Sequence, residues 1–150
     1  MLYVIGQIFE CNLTHFKLSQ VIMKYYYTKI LNCSLQEAHE RTLCKFKERG
    51  FGLVSEMDVS NTLKEKIGLN FKPYLILGLC NPFYASEVLK EDDKMGVLLP
   101  CSVTIQEHEN GKVEVSAINP VKMVDITSNE SLRGKAEHVA AIFKEVIEGL

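Results

Sequence analysis

Two cysteines stand where thiol chemistry is conceivable. Cys80 closes an apolar run that begins at Pro73, and Asn81-Pro82 follows at once. Asn is a favoured helix N-cap, and Pro fits the first helical position because its missing N–H has no partner there. Cys101 follows Pro100 on the apolar side of a later alternating run. If those two strands are neighbours, the sulfurs approach each other. The dipole of a helix starting at Pro82 would then favour a thiolate nearby. That arrangement is a redox or metal-handling thiol pair. The plainer reading, two small buried hydrophobes, weighs more: buried cysteine is common, and no histidine ligand accompanies the pair. A second candidate is a polar mouth at one end of the sheet, built from Lys72, Asn81 and Asn119. Free backbone N–H groups at the Pro82 helix would make it welcoming to an anion. A surface lysine, a helix cap and a turn residue explain the same three positions, and capping alone accounts for Asn-Pro.

Little else in the chain points to catalysis. The histidines, at 15, 39, 108 and 138, show no HxH or HxxxH spacing, so neither a zinc site nor histidine-based acid–base work is indicated. His39 lies near a helical apolar stripe and reads as structural, and His138 as the outer side of the last helix. The five cysteines, at 11, 33, 44, 80 and 101, are odd in number and widely spaced, with no CxxC pair. They favour a reducing, cytoplasmic setting. There is no P-loop, GxGxxG or GxSxG sequence. Asp92-Asp93 lacks the spacing of a calcium loop and reads as a solvated turn. No metal or cofactor is assigned. The formal charge of −2, from 17 basic and 19 acidic residues, gives no basic excess for a nucleic-acid backbone. No apolar run reaches the 18 residues of a membrane span.

The elements that must position these residues follow from periodicity. Tyr25–Leu31 is a β-rich run. Ser34 and Glu37 form a capping box for a helix with apolar positions Leu35, Ala38, Thr42, Leu43 and Phe46, stopped by Gly50. Residues 51–59 alternate and predict a half-buried strand with Phe51, Leu53, Met57 and Val59 on one side. Ser60 caps a short helix that Gly68 closes. Residues 73–80 predict a central strand covered on both faces, in which Gly78 marks a close backbone approach. A helix from Pro82 to about Lys90 follows. Residues 97–108 and 112–118 predict a long hairpin. A two-residue Asn110-Gly111 turn would set Gln106 against Val115, placing polar side chains on the apolar face. A three-residue loop, Glu109-Asn110-Gly111, pairs Ile105 with Val115 and Val103 with Ala117, with Gly111 left-handed in a G1 bulge. Residues 121–126 read as a short edge strand. Thr127 and Glu130 offer a capping box for a last helix, carrying Leu132, Ala136, Val139, Ala140, Phe143, Val146, Ile147 and Leu150 at 3–4 spacing.

The sum is an α+β fold: two layers, a mainly antiparallel sheet covered by helices, in the order β-α-β-α-β-α-β-β-α. Clean patterning starts directly after Met23. Residues 1–22 therefore read as an N-terminal extension outside the core, and 23–150 as a single domain of ordinary size.

Tyr25-Tyr26-Tyr27-Thr28-Lys29, the Ser34–Gly50 helix, Phe51 to Val59, Lys72-Pro73-Tyr74, Gly78-Leu79-Cys80-Asn81-Pro82, Leu98-Leu99-Pro100-Cys101 and Asn119-Pro120 follow one another in a characteristic order and spacing. On these residues the chain from about 24 to 150 resembles the domain-of-unknown-function 302 family. The resemblance implies a compact α+β fold with a curved antiparallel sheet, and a homodimer. It implies no activity, because the family has no settled biochemical role. The expectation is a non-catalytic small-ligand-binding or dimeric interaction protein. The alternative is a thiol-dependent redox or metal-handling protein using Cys80 and Cys101.

Overall fold

The computed structural model describes residues 24–150, so the expected extension at 1–22 lies outside the described residues. Five strands form one antiparallel open sheet: β1 (Tyr26–Leu31), β2 (Gly52–Asp58), β3 (Tyr74–Cys80), β4 (Cys101–Glu107) and β5 (Val113–Ile118), in the spatial order β1-β5-β4-β3-β2. Helices α1 (Leu35–Lys47), α2 (Val59–Ile67), α3 (Pro82–Glu91), α4 (Pro120–Thr127) and α5 (Arg133–Glu148) complete it. The expected fold class and element order hold. No helix among the described residues is long and apolar enough to cross a membrane.

The hairpin follows the slipped register: Ile105 lies opposite Val115 and Val103 opposite Ala117. His108 N donates to Lys112 O, Gly111 N donates to His108 O, and Gly111 has φ +72°. Alternation then does the packing. Val103, Ile105, Val113 and Val115 are fully buried on one face of the sheet, where α1 and α5 pack. Each helix contributes residues at 3–4 spacing: Ala38, Thr42 and Phe46 from α1, and Val139, Phe143, Val146 and Ile147 from α5. At the centre the Phe143 ring sits 4.8 Å from Phe46 and 5.2 Å from Phe51, both edge-on.

Several expectations need correction. Residues 51–59 do not make a half-buried strand, because every residue of β2 is exposed. β2 is an edge strand, and the extra residue at Val54 shifts its register between Leu53 and Ser55, swapping the faces of the residues after it. The cap of α2 is Asp58, which accepts from Asn61 N, rather than Ser60, whose hydroxyl donates to that carboxylate. Residues 93–98 form a 3-10 turn capped by Asp92, not the start of β4; Pro100 has no N–H for a ladder. Residues 121–126 belong to α4, not to an edge strand, and Asn129 rather than Thr127 caps the turn leading into α5. β3 is also not central: β4 holds that place.

Thr42 presents one local conflict. Its Oγ1 is buried with no hydrogen-bond partner among the described residues. Thr42→Val removes an unpaired hydroxyl and keeps the branched shape. It is expected to raise the unfolding free energy by about 1 kcal/mol, read as a higher urea midpoint at unchanged slope. A lower midpoint would mean that the hydroxyl has a partner.

Candidate functional site

Antiparallel pairing sets Leu79 opposite Cys101 and Val103 opposite Ala117. The C-terminal ends of β3 and β5 and the start of β4 therefore share one end of the sheet. From that end α3 and α4 both depart, each from an Asn-Pro pair. Asn81 Oδ1 accepts from Phe83 N at 3.0 Å and Tyr84 N at 3.5 Å. Asn119 Oδ1 accepts from Val121 N at 3.1 Å, while its Nδ2 donates to Lys24 O at 3.3 Å. These helix starts are thus already capped by their own side chains.

Behind the caps lies a half-enclosed cavity of about 70 Å³, between the sheet end and helices α3, α4 and α5. Its wall includes Leu79, Cys80, Tyr84, Cys101, Met123 and Val139, and Asn81 stands at it; among the described residues Lys135 is the one charged group that lines it. Two polar links between α3 and α5 close the rim. Tyr84 Oη lies 2.8 Å from His138 Nε2, and Lys135 Nζ donates to Glu91 Oε2 at 2.6 Å. The bond from Lys135 holds Glu91 below the usual carboxylate range. His138 is exposed, as its helix position implied, yet it is tied to Tyr84.

Cys80, Asn81 and Cys101 are therefore brought to one cavity, with Asn119 beside it at Pro120. Lys72 is not. It precedes β3, so the whole seven-residue strand, itself more than about 20 Å long, separates it from Asn81. The expected polar mouth of Lys72, Asn81 and Asn119 is corrected to the two asparagines. Both cysteines are free thiols. Burial, with a smaller contribution from nearby Cys80, pushes the Cys101 thiol up to about 12. It stays protonated at neutral pH, opposite to what a helix-activated thiolate requires. No group of three or more His, Cys, Asp or Glu able to hold a metal occurs among the described residues.

Sequence reasoning missed Tyr84, Met123, Val124 and Lys135 at this cavity. The signal for α4 was present, since Asn119-Pro120 repeats Asn81-Pro82. The two caps differ in burial, and Asn119 is only 3% exposed. Asn119→Ala, which also strands Lys24 O, is expected to cost about 2–3 kcal/mol, and Asn81→Ala about 1 kcal/mol. Chemical denaturation of both variants checks the order; equal losses would sink it.

The family model described as domain of unknown function DUF302 matches residues 27–150 of this chain. The crystal structure of an uncharacterized conserved protein DUF302 from Bacillus stearothermophilus superposes with a TM-score of 0.77 at 30% sequence identity, covering 83% of this chain and 96% of that one. No curated protein matches the chain.

Proposed function

The chain belongs to the DUF302 family, and we propose that it is a non-catalytic, dimeric protein of the cytoplasm that binds a small, mainly apolar ligand between the sheet end and helices α3, α4 and α5. The observation that carries this reading is the cavity: hydrocarbon walls, Lys135 as the charged group at the rim, and capped helix starts. Preformed apolar hollows with few polar groups are the usual form of a small-molecule site. A dry cavity of about 150 Å³ holds benzene, so about 70 Å³ takes a short apolar group with any polar end at Lys135. Cys80 and Cys101 serve here as wall atoms. The high pKa of the Cys101 thiol supports that role over thiol chemistry, which would fall to Cys80 alone.

The test uses short-chain alcohols as probes, followed by the NMR methyl signals of Met95 and Met123. Saturable shifts in the wild-type chain, abolished in a natively folded Ala136→Phe variant, are expected. Unsaturable shifts, or shifts that survive Ala136→Phe, would overturn the reading. Native mass spectrometry of protein from its own cells then identifies the retained molecule.

A further inference from the structure

Helices α1 and α5 pack on one face of the sheet against β1, β4 and β5. On the other face the groove over β4 and β5 is lined by strand residues and Tyr25, with no helix residue among the described ones. The open face carries the alternate residues of each strand, such as Tyr26, Thr28, Ser102, Thr104, Glu114 and Ser116. We propose that a second copy of this chain packs on this open face, about a two-fold axis running along β4 through Thr104. The proposal deepens the dimeric part of the reading above and is independent of the cavity.

Charge favours this packing. At the chain's average of 24% charged residues the face would carry several charges; among the strand positions that point to it only Glu114 is charged. That carboxylate is already engaged. Thr28 Oγ1 donates to its Oε1 at 3.0 Å and Ser116 Oγ at 3.1 Å, and His108 Nε2 lies 2.8 Å from Oε2. Burial pushes the Glu114 carboxyl up, but the bonds from His108, Thr28 and Ser116 outweigh it and hold it below its ordinary value. An interface between identical copies must tolerate itself, and a face whose one charged group is a carboxylate already held by His108, Thr28 and Ser116 does.

Shape favours it as well. Small hydroxyl side chains, Ser102, Thr104 and Ser116, occupy the middle and leave a groove of about 350 Å³. Tyr25, Tyr26, Tyr74 and Ile118 line it, and farther out on the same face Ile30 is 49% exposed and Met57 43%. Small residues at the centre let two sheets reach the ~10 Å separation of stacked sheets. An axis along β4 sets Thr104 against its own copy and Glu114 against the partner subunit's Tyr74, a hydroxyl donor. The area is of the right order. Five strands at ~4.8 Å and about six residues at ~3.4 Å give a plan of roughly 500 Å² before side-chain relief, against about 800 Å² of accessible surface per partner in a standard interface.

Sedimentation of the full chain tests this, with Thr104→Lys and Ser102→Lys on the face and Ile126→Lys as a control on exposed α4 surface. The wild type and Ile126→Lys are expected at twice the chain mass of 17.0 kDa. Both face variants should dissociate at least tenfold more readily, with unchanged circular dichroism. Surface labelling of Tyr26 and Tyr74 in the wild type should fall as protein concentration rises, a readout that needs no variant. A wild-type monomer would overturn both this interface and the dimeric reading. A wild-type dimer that keeps both tyrosines fully labelled, or that survives both lysine variants, would overturn the interface alone.

Discussion

Phe143→Ala is expected to lower the unfolding free energy by about 3–5 kcal/mol, the range for removing a fully buried phenylalanine. Phe143 is 0% exposed and lies on the face of α5 turned to the sheet. Its ring meets Phe46 of α1 and Phe51 at the mouth of β2, so one side chain joins the last helix to the first helix–strand unit. Truncation removes apolar burial, two edge-to-face contacts worth about 0.5–1.5 kcal/mol each, and leaves a hole the surrounding rings cannot fill by rotation alone. Urea denaturation followed by tyrosine fluorescence measures it. A loss under about 1 kcal/mol, within the ordinary range for a peripheral change, would mean that this cluster is not the centre of the core.

The second large effect is expected at Gly78, where space rather than burial decides. A Cβ placed there would lie 2.2 Å from Ser55 Oγ and 2.6 Å from Pro100 Cγ. The serine hydroxyl can rotate away; the proline ring cannot. Gly78→Ala should therefore cost about 1–3 kcal/mol by overpacking, and Gly78→Val more. The double variant with Ser55→Gly should recover a minor part, because the Pro100 clash remains. Full recovery would assign the whole cost to Ser55, and no cost would mean that β3 moves freely from its neighbours.

Gly78 was legible in the sequence, since a glycine inside an apolar strand marks a bulge or the close approach of a neighbour. The hairpin register was legible for a related reason: only one loop length keeps Ile105, Val103, Val115 and Ala117 on one side, and pleating forbids compromise. Where alternation continues by chance the same inference fails. Val97 and Leu99 extend the β4 pattern backwards, yet Val97 is 84% exposed within a 3-10 turn. β2 misled because half-burial depends on neighbours. An edge strand with a bulge reads like an inner one until its pairing is known. Helix α4 was announced by Asn119-Pro120, but its short run of Val, Met and Ile also suits a strand. The site was only half readable. Cys80, Asn81 and Cys101 converge because β3 and β4 pair, whereas Lys72 adjoins the same strand at the wrong end. The cavity wall comes from separate stretches of chain, and no local spacing encodes their meeting.

The place of β1 in the sheet has a consequence for synthesis. Among the described residues its one strand partner is β5, with Leu31 opposite Val113. A ribosome adding about 5–20 residues per second exposes the tyrosine-rich first strand many seconds before its mate exists. During that interval both of its backbone edges can recruit other extended chains. Aggregation of the nascent polypeptide is thus a hazard of this topology, and a pause or chaperone acting before β5 emerges would govern yield.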